Sequence, residues 1–255
     1  MLETKDLTIR FGGHVAVNAV SCAFAPGTLT AIVGPNGAGK TTYFNLISGQ
    51  LKASAGTVSL DGQLLSGLPA SARTRAGLGR AFQLTNLFPN LSVLENVRLA
   101  VQATREGAHR RGLNLWSIWS DHRALTERAD QILADVALKA KEHATVASLP
   151  HGDQRKLEVA LLMALEPKVF MFDEPTAGMN AAEAPVILDL IRKLKQDKSK
   201  TILLVEHKMD VVRELADRII VLHNGQLVAD GEPAEVIASP IVQEAYLGVA
   251  KEAAA

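Results

Sequence analysis

The chain has 255 residues, of which 47% are hydrophobic and 21% charged, and its 27 Lys+Arg are matched by 27 Asp+Glu. This is the make-up of a globular protein with a substantial core, as one large domain or two lobes, and the balanced charge gives no support to a broad nucleic-acid footprint. A lone cysteine, Cys22, excludes an internal disulfide and sits in an apolar run, as a buried thiol in a reducing compartment does.

The opening residues Met1 to Asp6 are charged and lack the apolar core of a signal peptide. No apolar run approaches the length of a membrane span. The chain is therefore expected to be soluble by itself, held at any membrane by another chain. Residues 2–9 and 15–24 predict strands, and Ala25-Pro26-Gly27 turns the second toward a third, buried strand at 28–33. Phe11-Gly12-Gly13 lies between the first two strands. Its aromatic ring is placed either to stack on a base or to pack on the core.

Next comes Gly34-Pro35-Asn36-Gly37-Ala38-Gly39-Lys40-Thr41-Thr42. It fits G-x-x-x-x-G-K-[ST], between a strand and the helical pattern of 42–47. Glycines let successive N–H groups turn toward phosphate oxygens, and the helix N-terminus adds its positive dipole end. Lys40 supplies a cation for the β/γ-phosphates, and the Thr41 hydroxyl suits Mg²⁺.

Downstream, 56–60 predicts a strand, with Asp61-Gly62 as the turn into a short second one. A short helix is expected at 69–73 with Pro69 in its first turn. Residues 78–83 form another expected strand, which delivers Gln83 to its end. Ser92-Val93-Leu94-Glu95 is a capping box opening a helix to about Thr104. Trp116 and Trp119 fall in an insert, as a small satellite core or as an apolar face for a partner. Helical spacing returns over 121–138. Residues 149–154 break the pattern before a helical run at 155–165. Residues 169–174 are an apolar strand closing on Asp173-Glu174. Asn180 and Glu183 are placed to cap the next helix, although Pro185 favours a start nearer itself. A strand at 201–205 ends at Glu206-His207. A helix at 209–215 and two strands joined by Asn224-Gly225 follow.

Apolar strands that end in polar residues suggest a mainly parallel sheet, whose ligand sits at the carboxyl ends of the strands. Gln83, Asp173, Glu174 and His207 would then converge on the phosphate loop. Asp173 is placed to help hold Mg²⁺, and Glu174 to take a proton from an attacking water. Gln83 can touch the metal or the water, and His207 can donate to a γ-phosphate oxygen.

In order and spacing, Phe11, residues 34–42, Gln83, residues 149–154, 170–174, 177–180 and His207 resemble the A-loop, Walker A, Q-loop, signature, Walker B, D-loop and switch histidine of ATP-binding-cassette ATPases. Phe-Gly-Gly at 11–13, the Trp-containing insert and Ala245-Tyr246-Leu247-Gly248 further resemble the ATP-binding subunits of branched-chain amino-acid importers. The resemblance implies an α/β P-loop NTPase fold with a mainly parallel sheet, an N-terminal antiparallel β subdomain and an α-helical subdomain. Residues 1–90 and 166–255 would form the core, 91–165 the helical subdomain with the signature, and 232–255 a helical tail.

It also implies ATP and Mg²⁺, with Thr41, Gln83 and Asp173 at the metal and Glu174, His207 and Lys40 in catalysis. Phe11, residues 34–42, Gln83, Gly152 and Asp153 would contact nucleotide. Two subunits, identical or paralogous, would close head to tail on two ATPs. Permease subunits would dock near Gln83 to Phe88, serving a substrate-binding protein, with the chain peripheral on the cytoplasmic face of the inner membrane. The usual Leu-Ser-Gly-Gly-Gln signature reads Leu149-Pro150-His151-Gly152-Asp153 here, and Asn180 stands where the D-loop commonly has aspartate. A soluble cassette ATPase of a cofactor-assembly complex is the alternative reading. A GTPase is disfavoured, because His207-Lys208-Met209-Asp210 has the wrong first residue for reading guanine.

Overall fold

The computed structural model describes residues 1–81, 87–104, 123–180, 183–240 and 242–243. Gln83, Asn86, Trp116, Trp119 and the motif at 245–248 lie outside them. In chain order the elements are β1 (Leu2–Phe11), β2 (His14–Phe24), β3 (Leu29–Val33), α1 (Lys40–Ser48), β4 (Ala55–Leu60), β5 (Gln63–Leu64), α2 (Ala70–Arg75), β6 (Leu78–Ala81), α3 (Val93–Thr104), α4 (Arg123–Asp135), α5 (His151–Ala164), β7 (Val169–Asp173), α6 (Ala184–Gln196), β8 (Thr201–Val205), α7 (Met209–Leu215), β9 (Arg218–His223), β10 (Gln226–Gly231) and α8 (Pro233–Ala238). They fall into two compact units. One takes residues 1–80, 168–174 and the described residues from 195 onward; the other takes the described residues of 81–167 and 175–194.

The first unit holds two sheets. An antiparallel one runs β2-β1-β4-β5, and a six-stranded one runs β10-β9-β3-β8-β7-β6. In the larger sheet β9, β3, β8 and β7 are mutually parallel, and β10 closes one edge antiparallel to β9. Every residue of β3, β7 and β8 is buried, as expected of parallel strands covered on both faces. Alternation decides which face each residue serves. Ile32 packs with Tyr43, Phe44 and Ile47 of α1 and with Leu2, Leu7 and Phe24 of the antiparallel sheet. Its neighbours Ala31 and Val33 pack with Val212 of α7 and Val236 of α8. The phosphate-loop helix is thus the filling between two sheets, which explains why six of its nine residues are buried.

Polar ties reinforce that packing. Thr4 Oγ1 lies 2.7 Å from the Tyr43 hydroxyl and accepts the Cys22 N–H at 3.0 Å. Cys22 is buried, and burial pushes its thiol up from its ordinary range. At the other end of α1, buried Arg73 donates through Nη1 to the Leu46 and Ile47 carbonyls, both at 2.7 Å. Those are carbonyls that a helix leaves without internal partners.

The second unit is helical. Val93, Val97 and Val101 of α3 recur at helical spacing and are buried, as are Leu125, Ala129, Ile132 and Leu133 of α4. The expected capping box is formed: Ser92 N–H donates to Glu95 Oε2 at 2.7 Å, and Glu95 N–H to Ser92 Oγ at 3.2 Å. Asn180 and Glu183 make the second reciprocal pair, at 3.3 and 3.0 Å. α6 then opens at Ala184, with Pro185 in its first turn.

Two expectations are corrected. Pro69 is the N-cap of α2 rather than a member of its first turn. α5 starts at His151, four residues before the predicted run, inside the segment read as a break. Pro150 does not interrupt a helix there. It caps one: its backbone is extended (φ −57°, ψ 155°), and its carbonyl accepts the N–H groups of Asp153 and Gln154, each at 3.0 Å. The missing proline N–H costs nothing at a position where that group has no helical partner.

Candidate nucleotide site

The phosphate loop leaves β3 at Gly34 and enters α1 at Lys40. Two glycines are required by their surroundings. A Cβ on Gly34 would lie 2.1 Å from the Leu222 carbonyl oxygen, and one on Gly39, at φ 95°, would lie 2.5 Å from that of Ala16. The loop is braced from behind by the turn between β9 and β10. Gly225 N–H donates to the Ala38 carbonyl at 3.0 Å, and the Gly225 carbonyl accepts from Asn18 at 2.8 Å. Asn224 and Gly225 both have positive φ, 48° and 75°, as this hairpin turn demands. The sequence marks the turn but not its second task.

Lys40 is 6% exposed, and its ammonium donates to the carbonyls of Gly34 at 2.7 Å and Pro35 at 2.9 Å. Burial lowers its pKa, opposed by Glu174 and then Asp173. The cation is thus held over the loop beside two carboxylates. Thr41 is exposed on the first turn of α1 and Thr42 is half-buried. Phe11, at the end of β1, is 51% exposed. That exposure fits a ring offered to a base rather than a core anchor.

β7 delivers the two carboxylates differently. Asp173 is buried, and its Oδ2 accepts from Arg80 Nη2 at 2.8 Å. Burial raises the Asp173 pKa despite the facing guanidinium. Glu174 turns out of the strand with φ 50°, a left-handed conformation uncommon for a non-glycine residue. Its N–H donates to the Val205 carbonyl at 2.9 Å, which pins the turn to β8. His207, just past β8, places Nε2 2.7 Å from Glu174 Oε1. Buried Glu206 accepts the His207 N–H at 3.0 Å and so fixes where that histidine begins. Lys40, Asp173, Glu174 and His207 therefore belong to one unit and one end of its larger sheet. Gln83 lies outside the described residues.

The signature segment is a site of its own in the second unit. The first turn of α5 offers the backbone N–H groups of His151 and Gly152. Glu183 packs against Gly152 so closely that a Cβ there would lie 2.3 Å from Glu183 Oε2. Asp153 is 5% exposed, with Oδ1 2.9 Å from Lys156 Nζ and Oδ2 bonded to Lys141. Burial pushes its carboxyl up, but the two lysines more than offset this and leave it below its ordinary value. Breaking such a buried pair removes about 3 kcal/mol, so Asp153→Asn is expected to cost stability on that order. A group whose folded pKa is depressed stabilises above its unfolded pKa and loses that contribution as pH falls through the folded value. The stability gap between the variant and the natural chain should be constant near neutrality and shrink below about pH 4. Urea unfolding across that range checks it; a gap that does not change with pH refutes the pairing.

Sequence reasoning missed Arg80, Glu206 and the lysines on Asp153. Only Arg80 left a signal, as a cation inside an apolar strand that needs a partner once buried.

The ABC transporter family matches residues 17–177, and the branched-chain amino acid ATP-binding cassette transporter family matches 226–252. The high-affinity branched-chain amino acid transport ATP-binding protein LivG of Escherichia coli is 38% identical over 98% of this chain and 98% of its own. Its counterpart BraF of Pseudomonas aeruginosa is 37% identical over the same shares. Among solved structures, the ADP conformation of an ATP-binding cassette of an ABC transporter superposes with a TM-score of 0.79 at 29% identity, covering 97% of this chain and 98% of that one. The dimeric post-hydrolysis state of another cassette, bound to ADP and phosphate, gives 0.77 at 26% identity over 91% and 99%. A phosphate loop, a strand-end carboxylate pair and a facing histidine in one unit, together with these matches across almost the whole length, establish that the chain belongs to the ABC transporter family as one of its ATP-binding, ATP-hydrolysing subunits.

Proposed function

We propose that this subunit powers an importer of branched-chain or related amino acids through ATP-driven closure of a dimer of such subunits. The observation that carries the reading is the Glu174–His207 pair, 2.7 Å apart beside the phosphate loop, in a chain alike over 98% of its length to named amino-acid transport subunits. No relative among these points to cofactor assembly. No helix among the described residues is long and apolar enough to cross a membrane, so permeation itself falls to other chains.

The parts divide as follows. Phe11 stacks on the base. Residues 36–39 turn backbone N–H groups onto the phosphates, and Lys40 moves its ammonium from the Gly34 and Pro35 carbonyls to phosphate oxygens. Hard oxygen donors at Thr41 and Asp173 suit Mg²⁺; Arg80 takes Asp173 Oδ2 and leaves Oδ1 for the metal. Bound Mg²⁺ neutralises charge on the phosphate oxygens. Gln83, outside the described residues, would be the third ligand. Glu174 accepts the proton of the attacking water on its carboxylate. The single Nε2–H of His207 donates to that carboxylate and orients it, and turns to a γ-phosphate oxygen once nucleotide is bound.

In the partner's site, the N–H groups of His151 and Gly152 take the role of the signature, since Pro150 has neither hydroxyl nor N–H. Asp153 supports them by holding Lys141 and Lys156 in place. Losing the serine contact weakens closure by about 1–3 kcal/mol without abolishing it.

The permease face is read on the second unit. Phe88 is 54% exposed, and buried Asn96 holds its backbone from both sides, accepting its N–H at 2.8 Å and donating to its carbonyl at 3.1 Å. An apolar ring held out on a fixed backbone suits a docking helix. Affinity purification of the tagged chain from detergent-solubilised membranes tests the reading. A polytopic membrane protein should co-purify, and Phe88→Asp should lose it. Recovery of only soluble partners would refute the transporter assignment.

A further inference from the structure

Arg80 belongs to none of the motifs above, yet its guanidinium donates to four side chains of the first unit. It lies on β6, beside β7 in the sheet. Its side chain is 6% exposed, and that of Asp173 is 5% exposed. The two ends of the guanidinium go to different elements. Nη2 donates to Asp173 Oδ2 at 2.8 Å, at the end of β7. Nη1 donates to Asn45 Oδ1 at 2.6 Å and Ser48 Oγ at 2.9 Å in the last turns of α1, and to Gln50 Oε1 at 3.4 Å just beyond. Its face lies over the Phe44 ring, 5.4 Å from the centroid.

The arrangement has a mechanical consequence. α1 carries Thr41 at its front, and β7 carries Asp173 at its end; these are two of the three residues read as metal ligands. Arg80 joins the rear of the first element to the tip of the second. The third, Gln83, follows three residues later in the chain. We infer that Arg80 is a positioning residue for the metal–nucleotide site: it fixes Asp173 against the phosphate-loop helix and leaves one carboxylate oxygen for Mg²⁺.

Only a planar fork can do this. A lysine brings one point of charge and cannot reach Asp173, Asn45 and Ser48 together. A buried carboxylate whose cation is removed swings toward any other donor or takes up a proton, and either outcome spoils it as a metal ligand. The inference rests on the reading of Asp173 as a Mg²⁺ ligand, so the test separates the two.

The measurement is the calorimetric affinity of the purified chain for β,γ-imido-ATP, with Mg²⁺ and with EDTA. The ratio of the two is the Mg²⁺ enhancement. Arg80→Met should leave the affinity in EDTA within about twofold and cut the enhancement about tenfold, the worth of one charge-assisted contact. Arg80→Lys should fall between, at about threefold, and it serves as the readable variant if the methionine form does not fold. Asp173→Asn should lose the enhancement, and adding Arg80→Met to it should change nothing further, as for two residues acting through one contact. An unchanged or larger enhancement in Arg80→Met and Arg80→Lys, with Asp173→Asn still defective, overturns the role of Arg80 alone. Equal weakening with and without Mg²⁺ assigns Arg80 to folding and also overturns it. A normal enhancement in Asp173→Asn refutes the underlying metal reading.

Discussion

Glu174→Gln is expected to bind ATP within about threefold of the natural chain and to hydrolyse it about 10³-fold more slowly, the usual worth of a positioned general base. Glutamine has the size and shape of glutamate but cannot take a proton from water. The change adds no backbone strain, because both side chains meet the same φ of 50° at this position. The contact to His207, 2.7 Å in the natural chain, can persist as a hydrogen bond to the amide. The loss should therefore fall on kcat and spare affinity, the pattern of an interaction made only in the transition state. ATP should also hold the dimer closed, because the step that reopens it is blocked. Single-turnover hydrolysis and light scattering with ATP read the two effects. Near-normal turnover would reject Glu174 as the base.

Lys40→Ala should act on the opposite quantity. Its ammonium, 6% exposed and already clasped by two carbonyls at 2.7 and 2.9 Å, needs little reorganisation to meet phosphate oxygens. Removing it leaves Asp173 and Glu174 to repel the nucleotide without a nearby lysine. An increase of about a hundredfold in the Kd for ATP, or roughly 2.7 kcal/mol, is expected. Circular dichroism should be unchanged, because α1 keeps its apolar packing through Tyr43, Phe44, Leu46 and Ile47. Unaltered affinity would show that the phosphate loop does not bind ATP.

Much of this site is written locally in the chain. A nine-residue motif that runs from a strand into a helix, and apolar strands closing on Asp173-Glu174 and on Glu206-His207, are patterns of consecutive residues. They survive without knowledge of which strand lies beside which. Arg80 does not. Its meaning depends on β6 lying beside β7 and on the rear of α1 coming near, and no spacing in the sequence encodes that. The same holds for Gly225, legible as half of a hairpin turn but not as the support behind Ala38. It holds again for Asp153, whose partner Lys141 stands twelve residues away. Pro150 failed for another reason. A proline in a polar stretch reads as an interruption, whereas at an N-cap it opens a helix, and only the hydrogen bonds of the following residues distinguish the two.

Chemistry at Lys40, Asp173, Glu174 and His207 should be converted into import. Uptake of radiolabelled leucine into proteoliposomes measures that conversion. The vesicles would hold the chain with its co-purifying membrane subunits, with the cognate binding protein outside and ATP inside. Accumulation should require internal ATP and be abolished by Glu174→Gln. Accumulation that continues with Glu174→Gln would contradict it, as would brisk ATP hydrolysis by the natural complex with no uptake of leucine, isoleucine or valine.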